Sequence, residues 1–258
     1  MALLTTRPLA DSLLQVNATE LAFTDNHIFE PEFHQSVYVQ ACKTTSAAPG
    51  AFQVGKASGL IYGPVRGVQP DYADDEDEPG SLEFGGLVLN DGTVLDDDGG
   101  SRNVCALKSA CVRQGFIDFS LARSVTRTFF EKKHKAQVKR NDVLINSTGD
   151  GTIGRVAVYN ADFPAMVDGH ITILRFKDPD FAWYVGAFLL SEQGQLQMYR
   201  YINGSSGQVE IYPQDIARVW VKPPQSTAKK TAVADGLREA ANLHADFYKK
   251  LRAALSAF

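Results

Sequence analysis

A glycine-rich turn between two short apolar runs constrains the fold of this chain more than any other feature of its sequence. Residues 143–145 (Val-Leu-Ile) and 155–159 (Arg-Val-Ala-Val-Tyr) are rich in β-branched and aromatic side chains, which favour strands. The residues between them include Gly149, Gly151 and Gly154, and glycine tolerates the positive φ angles that tight turns require. The stretch therefore predicts a β-hairpin with a glycine-rich tip.

The same three glycines match the spacing G-x-G-x-x-G of dinucleotide-binding proteins. That motif needs a helix directly after its last glycine, because the helix N-terminus holds the pyrophosphate. Residues 156–159 read as a strand instead, so the hairpin is the favoured interpretation. The alternative is a small DNA-acting enzyme or nucleotide-binding protein that uses the turn at 149–154, and it requires a strand–helix unit at this place.

Composition is that of an ordinary globular protein, with 44% hydrophobic and 22% charged residues in a chain of 258. This length suffices for one large domain with a helical appendage. No apolar run is long enough to span a membrane, and the first residues lack the pattern of a signal peptide, so we expect a cytoplasmic protein with no membrane partner. Cys42, Cys105 and Cys111 suit reduced thiols and lack zinc-ligand spacing, so we expect neither a metal nor a cofactor.

The acidic residues are concentrated in one segment, although the net charge is only −4. Residues 67–101 contain no Lys or Arg and have no apolar periodicity across their most acidic part, which predicts an exposed, mobile acidic loop. It is either a solvated surface or a mimic of phosphates that shields a basic surface. The rest of the chain is basic, so the negative total does not exclude a nucleic-acid partner.

The charge balance reverses between residues 123 and 155, where basic side chains are interleaved with Phe129 and Phe130. Such a composition is typical of a surface that contacts phosphates. The alternative is a solvated helix flank above buried phenylalanines. The candidate phosphate contacts are Lys132, Lys133, Lys135, Arg140 and Arg155.

Polar side chains suited to base edges surround the hairpin and a second loop. We predict a strand at 171–176, a helix at 181–199 capped by Asp178, and a flexible polar loop at 201–208. Loops on a rigid scaffold commonly carry ligand contacts, and Asn, Gln and Ser can hydrogen-bond to bases. The candidate base contacts are Asn146, Ser147, Thr148, His170, Asn203, Ser205, Ser206 and Gln208. Alternatively, Ser147 and Thr148 only close the turn, and His170 is a polar residue at a strand end.

Beyond residue 224 the apolar residues recur with a 4-3 heptad spacing. A helix over 227–258 would be about 45 Å long, so we expect it to pack on another long helix as a coiled coil. The predicted seam consists of Val233, Leu237, Ala240, His244, Phe247, Leu251, Ala254 and Phe258. His244 is its polar exception, at a position that sets register in coiled coils.

Several of these motifs together resemble a known family. Asp142-Val143-Leu144-Ile145, followed by Thr148-Gly149 and Ile153-Gly154, resembles the "gDvLi…tG…iG" signature of target recognition domains in Type I restriction–modification specificity subunits. Further elements follow in the family's order through residue 258: a strand after His170, a helix, Gly207-Gln208, Asp215-Ile216, Pro223-Pro224 and the terminal helix.

The resemblance implies an α+β fold in which residues 1–222 form a target recognition domain with a mixed or antiparallel sheet, and residues 223–258 form a helical spacer or dimerisation arm. It implies sequence-specific recognition of double-stranded DNA by a non-catalytic subunit. DNA methyltransferase subunits would be the partners, with a restriction subunit as a further partner. Family members commonly carry two recognition domains, so one domain here implies a half-subunit that pairs with itself or with a second half. The rival from another class is a protein-interaction module that uses the helix alone.

Overall fold

The computed structural model describes residues 30–70, 103–204 and 209–255, together with two-residue strands at 7–8, 14–15, 82–83, 87–88 and 94–95. Its helices are α1 (Ser36–Ser46), α2 (Arg127–Lys132), α3 (Pro179–Leu190), α4 (Glu192–Arg200), α5 (Pro213–Ile216) and α6 (Thr227–Leu255). Its strands are β1 (Arg7–Pro8), β2 (Leu14–Gln15), β3 (Phe52–Gln53), β4 (Leu60–Arg66), β5 (Leu82–Glu83), β6 (Leu87–Val88), β7 (Val94–Leu95), β8 (Asn103–Leu107), β9 (Arg123–Thr126), β10 (Gln137–Val138), β11 (Val143–Asn146), β12 (Val156–Val158), β13 (Ala165–Val167), β14 (Ile171–Phe176) and β15 (Trp220–Val221).

Nine of these strands form two larger sheets, and the other six form two-stranded pairs. The central sheet has the order β12-β11-β14-β4 and is antiparallel throughout. The second sheet has the order β10-β13-β8-β9-β5, and it is mixed because β13 runs parallel to β8. The predicted α+β class with mixed and antiparallel sheets and a C-terminal helix is confirmed, and the predicted strand at 171–176 is β14.

The central sheet is covered on both faces. Successive residues of a strand point to opposite faces; Leu144 and Ile173 accordingly pack toward the second sheet, whereas Val143 and Ile145 pack toward α3. All four are fully buried, and each such side chain contributes about 1.5–3 kcal/mol by leaving water. Burial on both faces explains why β11 contains an unbroken run of apolar residues, Val143, Leu144 and Ile145.

A buried ion pair joins β14 to the start of β11. The Nε and Nη2 atoms of Arg175 donate to the two carboxylate oxygens of Asp142 at 2.7 and 2.6 Å, and the Lys139 amide donates to the same carboxylate at 2.7 Å. Burial raises the pKa of Asp142, while its hydrogen bond to Arg175 acts in the opposite direction. The conspicuous aspartate of the signature therefore has a structural role in the scaffold.

The predicted single helix at 181–199 is wrong, because two helices, α3 and α4, occupy this region. The helix is interrupted at Ser191, whose hydroxyl accepts a hydrogen bond from the Gly194 amide at 3.3 Å. A Cβ atom at position 194 would lie 2.3 Å from the carbonyl oxygen of Phe188, so the close turn requires glycine. The predicted cap at Asp178 is confirmed, since its carboxylate accepts from the Asp180 amide at 2.9 Å.

The first half of α6 packs on α3. Lys230 forms an ion pair with Asp178, and Arg238 reaches Asp180 at 3.0 Å. Ala234 and Ala241 are buried in the core beneath this half of the helix. Helix α6 is therefore fixed to its own domain over its first turns, and it ends at Leu255 within the described residues.

This docking corrects the predicted coiled-coil seam. Leu237 packs partly against the domain's own core, and the ring of His244 stacks on Phe116. These two positions serve the chain itself rather than a second helix. The described residues show no coiled coil, and Phe258 lies outside them.

The predicted acidic loop is only partly a loop. The Gly67 and Val68 amides donate to the carbonyls of Ile171 and Val167 at 3.0 and 3.3 Å, so residues 67–68 belong to the folded domain. Strand β5 pairs with β9, and β6 forms an antiparallel pair with β7. Most of the acidic residues lie outside the described part of the chain.

Candidate nucleic-acid interface

Three loops meet at one end of the central sheet. They are the β11–β12 turn (147–155), the β13–β14 turn (168–170) and the described ends of the loop at 203–210, residues 203–204 and 209–210, and together we call them the loop cluster. The Ser147 amide donates to the His170 carbonyl at 2.8 Å, and the Gly149 amide donates to the Val209 carbonyl at 3.1 Å. A backbone bridge also pairs Thr148 with Glu210. Segments that are distant in the sequence are thus joined by main-chain hydrogen bonds.

The glycine-rich tip has the predicted hairpin structure. Gly149, Gly151 and Gly154 have φ angles of 93°, 72° and 80°, a region that side chains disfavour. Strand β12 follows the last glycine and pairs with β11. The phosphate-binding helix that the nucleotide alternative requires is therefore missing, and that use of the turn is wrong.

Two predicted base contacts lie inside the protein. Asn146 and Ser147 are fully buried. The Asn146 amide nitrogen donates to the Ser109 and Thr152 carbonyls at 2.8 and 3.2 Å, and the Ser147 hydroxyl lies 2.5 Å from that of Thr172. Both side chains brace the turn, so this arrangement leaves them no access to a base, and the prediction needs correction at these two positions.

Thr148 and His170 form a pair at the surface of the loop cluster. The Thr148 hydroxyl lies 2.6 Å from Nδ1 of His170. Thr148 is nearly buried, whereas His170 is exposed. The His170 amide donates to the Asp168 carboxylate at 2.9 Å. The buried Asp168 also accepts from the Ser109 amide at 3.3 Å, and burial raises its pKa.

The loop at 203–210 is only partly described. The amides of Asn203 and Glu210 donate to each other's carbonyl oxygens at 2.8 Å, which closes the base of the loop. The side chain of Asn203 is half-buried and donates to the Tyr201 carbonyl at 2.9 Å. The candidates Ser205, Ser206 and Gln208 lie outside the described residues, so their predicted role is unchanged.

The predicted phosphate contacts lie in three places. Arg155 donates to the Gly151 carbonyl at 3.0 Å and lies within the loop cluster. Arg140 pairs with Asp162 at 2.5 Å, which offsets its charge. Lys132, Lys133 and Lys135 belong to a different region, residues 127–136, which we call the basic segment; Lys132 and Lys135 are exposed there and Lys133 is half-buried.

The basic segment lies away from the loop cluster. The Lys135 carbonyl accepts a hydrogen bond from the Tyr62 hydroxyl at 2.8 Å, and Tyr62 pairs with Arg175 near the far end of β14. His170 directly precedes the opposite end of that strand. At about 3.3 Å per residue, the two regions are on the order of 15 Å apart along the strand.

The sequence analysis did not identify Arg66, whose side chain forms hydrogen bonds with two segments of the loop cluster and its flank. Its Nη2 donates to the Ile211 carbonyl at 3.1 Å and, more weakly, to the Ser147 carbonyl at 3.5 Å. Its Nη1 lies 3.5 Å from the Glu210 carboxylate, and the guanidinium lies over the Tyr212 ring. These partners are 81 or more residues away, so no local pattern in the sequence indicates them.

Within the described part of the chain, no three His, Cys, Asp or Glu side chains are grouped so as to hold a metal ion. None of the helices searched there is both long and apolar enough to cross a membrane. Cys105 and Cys111 are completely buried, and burial raises the pKa of Cys111 to about 12. These thiols belong to the packed core between the sheets.

Exposed apolar residues follow the second half of α6. Leu243, Phe247, Leu251 and Leu255, which we call the distal apolar face, are each at least 40% exposed. Only Phe247 and Leu251 belong to the predicted seam. Exposed large side chains in such a row are typical of a surface that another protein covers.

No protein-family model matches the chain, and no curated protein matches it in sequence. Among solved structures, it is similar to the Type IIG restriction endonuclease BpuSI, with a TM-score of 0.50 and 11% identity over 81% of this chain and 28% of that one. It is also similar to a Type I restriction–modification S subunit from M. genitalium, with a TM-score of 0.41 and 11% identity over 72% of this chain and 37% of that one.

A third similar structure is a chain from a Type I restriction–modification system, with a TM-score of 0.41 and 13% identity over 88% of this chain and 48% of that one. The chain thus spans less than half the length of each of these proteins. At such identities the similarity to BpuSI concerns the fold alone.

Proposed function

We propose that this chain recognises a DNA sequence within a restriction–modification system, as a specificity subunit or half-subunit that leaves cleavage and methylation to its partners. The observation that carries the proposal is the loop cluster, in which three separate loops meet at one end of a sheet that is buried on both faces. Loops held on a rigid scaffold are the usual place for ligand contacts.

The loop cluster suits base contacts better than phosphate contacts. Main-chain hydrogen bonds hold His170 through the Ser147 amide at 2.8 Å and Asn203 through Glu210 at 2.8 Å, so the backbone that carries these two side chains has a fixed position. Hydrogen bonds to base edges choose a sequence only when donors and acceptors are placed with such precision. His170 and Asn203 are the accessible polar side chains that we assign to this task.

The basic segment suits the complementary task. Lys132 and Lys135 are exposed cations, and contacts between lysine and phosphate add affinity without reading sequence. The two regions are about 15 Å apart along β14. This distance is comparable with the width of the major groove, about 12 Å, so one duplex can touch both regions.

The fold similarity to BpuSI supports the same proposal. BpuSI is a Type IIG restriction endonuclease, and this chain corresponds to 28% of its length. We infer that the shared part is a recognition module rather than a nuclease centre.

The distal apolar face of α6 completes the proposal. We assign it to a helix of a methyltransferase subunit or of a second copy of this chain, in place of the seam predicted from the sequence. A Leu243→Glu, Phe247→Glu double variant should lose assembly in sedimentation, while Ala228→Glu, at an exposed position on a different face of the same helix, should keep it. If the double variant assembled like the parent, the assignment of this face would be wrong.

The recognition proposal is tested by selecting duplexes from a random pool with the purified parent protein, alone and with its methyltransferase partner. We expect a preferred sequence to emerge. A pool that stays random under both conditions contradicts sequence recognition. Self-assembly without any duplex binding at low salt would favour the protein-interaction module instead.

A further inference from the structure

The side chain of His170 is held at one ring nitrogen and open at the other. Nδ1 lies 2.6 Å from the Thr148 hydroxyl. The backbone is held as well, because the His170 amide donates to Asp168 and its carbonyl accepts from the Ser147 amide. Nε2 has no partner among the described residues. An exposed imidazole with one fixed nitrogen is therefore placed at the tip of the loop cluster.

Hydrogen-bond accounting decides which nitrogen carries the proton. In the neutral ring one nitrogen donates and the other accepts. If Nδ1 carried the proton, the Thr148 hydroxyl would accept it, and the hydroxyl's own proton would have no acceptor within the described residues. If the hydroxyl donates to Nδ1, its proton is satisfied inside the nearly buried contact, and the remaining N–H is on Nε2 of the exposed ring, where solvent can accept it. In the charged ring Nε2 carries an N–H as well.

We infer that Thr148 acts as a positioning residue that makes Nε2 of His170 a permanent hydrogen-bond donor, and that this donor selects an acceptor on a base edge. In the major groove, guanine presents two adjacent acceptors, N7 and O6, adenine and thymine present one each, N7 and O4, and cytosine presents only the N4 donor, so an N–H donor favours guanine and disfavours cytosine. The inference rests on the proposed function, because it names the contact by which the loop cluster chooses one base pair.

The tautomer can be measured without DNA. Long-range proton–nitrogen correlation spectra separate an imidazole protonated at Nε2 from one protonated at Nδ1. We expect the parent and Thr148→Ser to show the Nε2–H form, because serine keeps the hydroxyl. Thr148→Val has a similar shape without the hydroxyl, and it should show a mixture of the two forms.

The base contact is tested with the duplex selected by the parent. His170→Ala should lose about fivefold in discrimination at one base pair, which is the loss expected for a single hydrogen bond. Where guanine is preferred, 7-deazaguanine removes the N7 acceptor and 2-aminopurine removes the O6 acceptor, and one of these replacements should weaken binding of the parent but not of His170→Ala. The Thr148→Val variant should tolerate additional bases at that position, because Nε2 of its His170 can also accept a hydrogen bond when the ring is protonated at Nδ1. Thr148→Ser should behave like the parent.

Two results overturn the inference. One is a Thr148→Val variant that keeps the parental Nε2–H spectrum. The other is a Thr148→Val variant that folds like the parent and keeps its full base preference. A parent that selects no sequence contradicts the proposed function instead, and the spectra still decide whether Thr148 fixes the ring.

Discussion

The loop cluster and the basic segment both read as DNA contacts in the sequence, yet the structure builds them in different ways. The loop cluster is held by main-chain hydrogen bonds between three loops. The basic segment is a short helix and turn whose lysines are exposed or half-buried, with Lys133 lying over the Phe129 ring. The difference matches a division of labour between choosing a sequence and attracting DNA.

The largest effect should come from breaking the buried ion pair of the central sheet, which carries the loop cluster at its other end. Asp142→Ala leaves Arg175 buried without its partner, which costs about 3–5 kcal/mol in the free energy of unfolding. Arg140→Ala is the matched control, because it breaks an exposed pair that contributes about 0–1 kcal/mol. Urea denaturation measures both. Equal losses in the two variants would show that the buried pair does not stabilise the central sheet.

The next largest effect concerns the basic segment. Replacing Lys132, Lys133 and Lys135 by Ala removes three cations, so affinity for every duplex should fall on the order of a hundredfold at physiological salt, and the slope of log affinity against log salt should become shallower by up to about 2.7. The preferred sequence should stay the same. Titrations at several salt concentrations provide the measurement, and an altered preference would erase the distinction between the two regions.

A smaller effect is expected in the loop cluster, where the substitutions should reduce discrimination between sequences and leave general affinity unchanged. Asn203→Ala with Gln208→Ala should reduce discrimination between the best and the random duplex by about 1–3 kcal/mol for each well-formed hydrogen-bonded pair with a base that the substitutions remove. Affinity for random DNA and its salt dependence should remain parental, because neither side chain is charged. Competition binding with both duplexes tests this. A uniform loss of affinity across all duplexes would assign these residues to general attachment.

The smallest effect concerns the attachment of α6, which should be independent of both the loop cluster and the basic segment. The hydrogen bond with Lys230 holds the pKa of Asp178 below its usual value. The folded protein therefore gains stability from this carboxylate above its unfolded pKa of about 3.9, and it loses that gain as the pH falls through the lowered value. Asp178→Asn keeps a capping side chain, and its stability should change less with pH in that window. Equal pH profiles would mean that the pair adds nothing.

The sequence predicts those parts of the fold that depend on neighbouring residues. The hairpin tip, strand β14, the cap at Asp178 and the start of α6 at Thr227 all follow from local patterns, and the structure has them. The break at Ser191 has a local signal too, in the serine followed by Gly194, but the apolar stripe of the flanking residues outweighs it.

The composition of the loop cluster was less predictable, because burial depends on contacts distant in the sequence. Asn146 looks like a free polar side chain until the carbonyl of Ser109, 37 residues away, is placed against it. Leu237 fits a heptad seam equally well whether its neighbour is a second chain or its own domain. Arg66 gave no signal for the same reason, and only three-dimensional placement shows its role.

The central sheet has a consequence for how such a protein can change. Every residue of β11 is buried, and β14 is buried except at Arg175, so substitutions in these strands disturb the core. Surface loops tolerate variation far better. New residues at the tips can therefore appear and be selected while the strands beneath remain as they are. A protein with this arrangement can change what its loops contact and keep the same fold.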